Sequence, residues 1–459
     1  MTTRLPIEAP PPEALLWDVV EEHFDEVEFL LTVCVGDYNL PNANREQLER
    51  TTVARLVAHV DALILSGDGV VDRLVRPALD EAESPERLMA AALMCFELPA
   101  EGLIVELFGR VADNPALADA VVEASAWATR AKVVGALPEL RRTSALHALV
   151  LRVVARLGLE PGAELEPGIA SADPVVSAAA LVAVRFSREP DRETHLAFAE
   201  ANLTSKEPAV ALAALDTALA WRSEKAWRAL VRLAEAGDSA ALVRLAGLGT
   251  QADCQKIIAH CEKPELRAEA LRALGYSGWI SAAEACVPFF GNDDVRVARL
   301  AGEAFAAITG LPTTGVYWRK APEVVEPDED VLPPLEEDLA RDLMPSVDEM
   351  LPVPDPDVIG LWWSRAKPLF RDDTRYLIGI ECDEETARWA VAEGAPLRRV
   401  TQLDVLFGIR LQGRGWLPTR GTPAPLRQLV GALPSKRPVS FQAGLTLATF
   451  KAARRGPNE

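Results

Sequence analysis

Helix-start signals recur along the chain at steps of about 30 residues, and this period constrains the fold more than any other feature. The signals are a proline, an aspartate or a capping residue opening a run of helical spacing. They fall at Pro85, Pro115, Ser144, Pro174, Pro208, Asp238, Pro264 and near Val295, with steps of 26 to 34 residues. Proline at the first helical position sacrifices no hydrogen bond, because that N–H has no partner within the helix. Seven positions after each of the first seven starts lie Ala92, Val122, Leu151, Leu181, Leu215, Leu245 and Leu271. Ten positions on lie Cys95, Ser125, Val154, Val184, Ala218, Leu248, Leu274 and Phe305. Positions three apart share one helix face, and here that face is apolar or small. One period holds two helices of about twelve residues and two short turns. A single pair of that size cannot cover its own apolar stripe, whereas stacked pairs share a continuous core. The expectation is an all-α helical-repeat solenoid, since a globular bundle would need no fixed period.

Composition narrows the function. Of 459 residues, 49% are hydrophobic and only 6% aromatic, which suits closely packed Ala- and Leu-rich helices. The formal net charge of −20 repels phosphate backbones and anionic membrane surfaces, so neither nucleic acid nor membrane is expected as a partner. No run of about 18 apolar residues offers a membrane span. Met1 to Pro6 leads into Pro10-Pro11-Pro12 with no apolar leader core, and the chain reads as cytoplasmic. Cys34, Cys95, Cys254, Cys261, Cys286 and Cys382 are scattered through apolar stretches and read as buried, reduced thiols.

Four regions follow. Residues 1–69 form an N-terminal helical cap, with helices from about Glu13 to Cys34 and Arg45 to Leu65, closed by Ser66-Gly67-Asp68-Gly69. Residues 70–310 hold the repeats. Residues 311–357 form an acidic, proline-rich linker: between Ala321 and Asp357 there are 13 carboxylates, eight prolines and only Arg341 as a base. Charge repulsion and missing backbone donors argue against a packed element there, leaving an extended tether or a strand draped over the repeats. Residues 358–459 form a small, mostly helical C-terminal unit packed on the repeats or on a partner. In it Pro356 to Phe370, Glu384 to Glu393 and Leu397 to Leu411 read as helices, Arg375 to Ile380 as extended, and Arg414 to Arg427 as Gly-, Pro- and Arg-rich coil.

The stretches Pro264-Glu265-Leu266-Arg267-Ala268-Glu269-Ala270-Leu271 and Asp294-Val295-Arg296-Val297-Ala298-Arg299-Leu300-Ala301 resemble HEAT-like repeats in their short bacterial form. The central copies, Ala172 to Arg188 and Glu207 to Arg222, lack the arginine of that pattern and rest on the period. More of the chain is similar to a family of uncharacterised bacterial HEAT-like repeat proteins. The residues that carry this resemblance are Ala301 to Gly310, Leu351-Pro352-Val353-Pro354-Asp355-Pro356-Asp357, Trp362-Trp363, Tyr376-Leu377-Ile378-Gly379 and Arg398-Arg399, with a looser match at Leu56 to Leu63. Long proteobacterial members are associated with type VI secretion loci. The resemblance therefore implies a scaffold or cargo adaptor with a protein partner, a secretion component or its cargo, and it implies no catalytic residue. Short HEAT-like repeats also resemble phycobilin lyases, which keeps open a lyase-like enzyme or chaperone holding a small ligand or client.

No residue constellation asks for chemistry, and no cofactor is expected. Gly67-Asp68-Gly69 lacks the Gly-Lys-Ser/Thr of a phosphate loop. Gly275-Tyr276-Ser277-Gly278 lacks the spacing and the preceding strand of a nucleophile turn. Cys254, His260 and Cys261 do not converge as a metal knuckle, and His59 and Asp61, two apart on a helix, point away from each other. The acidic stretch lacks the spacing of a calcium loop. The remaining candidates are anchors for a protein partner. Tryptophan and arginine dominate binding energy at interfaces, so Trp221, Trp227, Trp279, Trp362 and Trp363 are the expected contact residues.

Overall fold

The computed structural model describes residues 15–80, 84–100, 102–114, 117–142, 144–187, 192–319, 346–413, 416–421 and 440–454. The N-terminal cap pairs α1 (Trp17–Gly36) with a second long element, in which α2 (Arg45–Leu48) runs through a π-helical turn into α3 (Ala54–Leu65). Val20, Phe24, Val27 and Leu31 of α1 face Leu56, Val60 and Leu63 across the pair, as their helical spacing requires. The short α4 (Arg76–Asp80) leads to the repeats.

The repeats run α5 (Pro85–Glu97), α6 (Leu103–Asp113), α7 (Leu117–Trp127), α8 (Arg130–Leu140), α9 (His147–Arg156), α10 (Leu165–Ile169), α11 (Pro174–Ala183), α12 (Arg192–Ala201), α13 (Pro208–Ala220), α14 (Glu224–Glu235), α15 (Ser239–Leu248), α16 (Gln251–His260), α17 (Pro264–Leu274), α18 (Ile280–Cys286) and α19 (Val295–Thr309). The start signals fall at the odd helices. Pro85, Pro174, Pro208 and Pro264 each open one, Asp238 caps α15, and Asp294 caps α19. Ser144 opens a 3-10 turn before α9, and Pro115 lies outside the described residues. Polar caps precede several starts: the Ser84, Asp173, Asp238 and Asp294 side chains accept from N–H groups of the first turn. At α13 and α17 proline alone marks the start, with no side-chain cap.

Odd helices pack side by side, α5 on α7, α7 on α9, α9 on α11, α11 on α13, α15 on α17 and α17 on α19. The even helices pack mainly on their odd partners, which makes the odd layer the tighter, inner one. Every residue at the seventh and tenth positions after a start, from Ala92 to Phe305, is buried. The structure is all-α with helical repeats, and no described helix is long and apolar enough to cross a membrane.

After α19 the described ends of the acidic stretch follow the draped alternative and not the free tether. Both ends of the acidic stretch are docked: Trp318 bridges Pro354, the Arg319 N–H donates to Val353 O, and Leu311 and Leu351 are buried. Residues 320–345, the most acidic part, lie outside the described residues. The C-terminal unit then holds α20 (Pro356–Ala366), the two-stranded antiparallel hairpin β1 (Tyr376–Leu377) and β2 (Ile380–Glu381), α21 (Glu384–Trp389), α22 (Leu397–Arg410) and α23 (Leu447–Arg454). The expected helices at 356–370, 384–393 and 397–411 are present, but the segment expected to be extended over 375–380 turns back at Ile378-Gly379, both at positive φ, to make the hairpin. α23 had no signal in the spacing.

Candidate binding site on the inner layer

The C-terminal unit is not a separate body. It follows the C-terminal ends of the odd helices in reverse order. The N–H groups of Ile378 and Gly379 donate to the carbonyls of Ala307 and Ile308 near the end of α19. Arg399 Nη2 donates to Gly275 O, just past α17, at 2.7 Å. At the end of α15, Arg410 Nη2 donates to Gly247 O at 2.7 Å. Arg375 reaches the carbonyls of Gly247 at 3.0 Å and Ser277 at 2.7 Å, as well as that of Gly249. Beyond α13 the direction reverses: Arg222 donates to the carbonyls of Ile409 and Arg410 at 2.8 and 3.0 Å. The path ends at the N-terminal cap, where Tyr38 and Arg45 both donate to Thr419 O.

This seam has a simple cause. The last carbonyls of a helix lack intrahelical donors and carry partial negative charge, and buried guanidiniums supply both donors and the opposite sign. Burial pulls the Arg222 and Arg410 pKa values down to about 10, which leaves both protonated at neutral pH. Arg375 is held well below the usual arginine range by burial and by neighbouring Arg410, and it stacks over Trp279 at 4.5 Å from the ring centre.

α22 lies across α13 and α15, and two cavities open beside it. The larger, of about 640 Å³, lies between α9, α11 and the segment Trp416–Arg420. Its walls are mostly apolar, with Val175, Val182, Phe186 and Pro418, and its charged groups are Arg152, Arg156, Arg185, Arg420, Glu207 and Asp404. The smaller, of about 360 Å³, is polar and lies on the other side of Thr401 and Arg420, which line both. It is bounded by Tyr38, Arg244, Arg272, Tyr276 and Arg398 among others.

Most of the arginines here have a carboxylate partner: Arg152 pairs with Asp119, and Arg398 with Glu303, which lines the smaller cavity, at 2.9 Å. Glu123 pairs with Arg156 and lies 4.0 Å from Arg420. Asp216 takes two bonds from Arg244, at 2.6 and 2.9 Å, and one from Arg185 at 3.3 Å. Burial alone would raise Asp216, but the two guanidiniums outweigh it and hold the carboxyl below its usual range. Asp348 takes Arg272 at 2.6 Å, Arg296 at 2.9 Å and Arg398 at 3.5 Å. Asp404 differs: its Oδ1 accepts from the Leu417 N–H at 3.0 Å, and burial pushes the carboxyl up to about 8. Its acid form therefore prevails at neutral pH.

The expected anchors sit elsewhere. Trp221, Trp227, Trp279 and Trp363 are all buried, at 5–8% exposure, and Trp362 is half-buried. Trp221 stacks on His195, Trp227 on Phe450, and Trp362 and Trp363 close over Phe305. These rings fill gaps between helices and the C-terminal unit, because a long aromatic is the side chain that spans an interlayer gap. They are not brought together into one patch. The six cysteines are buried, and burial raises the thiol pKa of each. Among the described residues no three His, Cys, Asp or Glu side chains gather as a metal site. His59 meets His23: the two Nδ1 atoms are 3.0 Å apart. The residues that do line the cavities, Arg152, Arg156, Arg185, Arg420 and Asp404, carried no motif. On the helices their trace in the sequence is a polar residue interrupting an apolar face, and Arg420, which lies in coil, leaves none.

No protein-family model matches the chain, and no curated protein matches it.

Proposed function

We propose that the chain is a non-catalytic protein-binding scaffold whose larger cavity receives a segment of a partner protein. The observation that carries this reading is the cavity itself: about 640 Å³, walled jointly by the inner layer and the C-terminal unit, apolar within and ringed by arginines. Enrichment in arginine over apolar floor is the composition of binding hot spots. The choice of secretion components or their cargo as first partners to try rests on the family resemblance alone.

The test is site-directed photo-crosslinking in the source organism. A photoreactive phenylalanine analogue replaces Val175, which is 56% exposed and lines the cavity. A control carries it at Arg228 on α14, whose side chain is 65% exposed. Crosslinks to a defined protein from position 175 and not from 228 support the scaffold. Equal or absent crosslinking from both overturns it.

A second reading has one observation in its favour. The cavity volume falls within the range of small-molecule sites, and Asp404, a carboxyl held protonated in the neutral range, lines it. A lyase-like enzyme or ligand-holding chaperone would use that pair of features. A coloured or mass-detectable small molecule retained through purification would favour this reading over the scaffold.

A further inference from the structure

We infer that the segment received on the inner layer is an acidic peptide, its carboxylates taken up by the arginines that line the two cavities. The inference rests on the scaffold reading and adds the chemistry of the partner.

Three observations lead there. First, seven arginines line the two cavities against Glu207, Glu303 and Asp404, in a chain whose formal net charge is −20. Arg156 and Arg420 have Glu123 between them, and Arg185 and Arg244 have Asp216. Arg156 shows the strain of this: burial lowers its pKa, Glu123 counters, and Arg420 lowers it again. Second, the protonated Asp404 withholds a negative charge that the larger cavity would otherwise carry. Third, the molecule already holds one such ligand of its own. Asp348 comes from the acidic, proline-rich stretch and is buried among Arg272, Arg296 and Arg398, while its neighbour Val347 lines the smaller cavity. An aspartate carried on a turn of the acidic stretch is thus the chemistry this surface takes up. A guanidinium offers a planar fork of donors that matches a carboxylate, and the apolar walls of the larger cavity suit the aliphatic residues between carboxylates.

The probe is a random peptide library displayed on phage and selected on the full-length protein. The expected result is an enriched pool that is net acidic and carries aliphatic residues. Two variants locate the site. Arg420→Glu changes the arginine common to both cavities, and its side chain is 36% exposed, so the fold should survive, as a thermal melt will check. Arg152→Glu, with a side chain 31% exposed, is an independent second variant on the larger cavity. Binding of an enriched peptide should fall about tenfold with either, the scale of one charge-assisted contact. Enrichment of neutral or basic peptides overturns the acidic inference and leaves the scaffold standing. Acidic peptides that bind both variants as tightly as the parent overturn the placement in the cavities. Failure to enrich any peptide overturns the scaffold reading together with this one.

Discussion

The repeat core and the seam beneath the C-terminal unit are both buried, yet they are held by opposite means. In the core, Ala214, Leu215, Ala270, Leu271 and their counterparts meet one another, and stability comes from apolar area removed from water. At the seam, Arg222, Arg375, Arg399 and Arg410 meet backbone carbonyls. The core contact depends on the shape of both partners. The seam contact depends on one side chain and on where the opposing helix happens to end. A repeat array thus offers two independent surfaces for attachment, its faces and its rows of helix ends, and this molecule uses the second to mount its C-terminal unit.

That contrast can be broken by substitution. The largest effect should come from the core: Leu245→Ala and Leu271→Ala should each cost about 2–5 kcal/mol, through lost burial and the cavity left behind. Urea denaturation checks it, and unchanged midpoints would mean that these faces do not carry the stack. At the seam, Arg375→Met should cost about 3 kcal/mol, because several buried carbonyls lose their donor. Hydrogen exchange should then accelerate at Tyr376–Glu381 and α22 while α5 and α7 stay protected. Uniform acceleration would show that seam and core are one cooperative unit.

Smaller still is the effect of glycine at the seam. Gly310 has φ of +73°, and a Cβ there would lie 2.6 Å from Ile378 O. Gly310→Ala should cost about 1–3 kcal/mol, and a neutral result would place the hairpin further from α19.

Asp404 adds a pH dependence. Its folded pKa is raised from 3.8 to about 8, so the folded state binds the proton more tightly than the unfolded one. The stability this confers is full below pH 3.8 and is lost as pH rises towards about 8. Asp404→Asn keeps an acceptor for Leu417 and has no such loss. Its stability advantage over the parent should widen through that window, by at least on the order of 1 kcal/mol, the value of one pKa unit. Parallel pH profiles of the two proteins would show an ionised Asp404. Least of all, Arg420→Glu should leave stability within about 0.5 kcal/mol, which is what qualifies it as a probe of binding. A large fall in melting temperature would put Arg420 in the fold instead.

The core was legible in the sequence and the seam was not, for the same reason. Leu215, Leu245 and Leu271 stand at fixed distances from a proline or aspartate, and a period is visible in one dimension. Arg375 and Arg399 bond to Gly249, Ser277 and Gly275 through carbonyl groups that every residue carries, so the partner leaves no mark in the sequence. The tryptophans carry no mark of their place in the sequence, since a large aromatic serves a partner and an interlayer gap equally well. Asp348 belongs to a stretch whose charge argued for solvent, and only the three arginines of distant segments explain its burial.

The seam also separates two tempos of folding. Helix pairs of the array touch neighbours close in sequence, and such contacts form early and fast. The seam joins residues far apart: Arg399 and Gly275 are 124 positions apart, and Tyr38 and Thr419 are 381 apart. Closing so long a loop carries an entropic cost that short-range contacts avoid. In synthesis from the N-terminus, α22 and Thr419 are made after every repeat helix they bind. The nascent array therefore stands with its row of helix ends open to water until roughly the last fifth of the chain arrives to cover it.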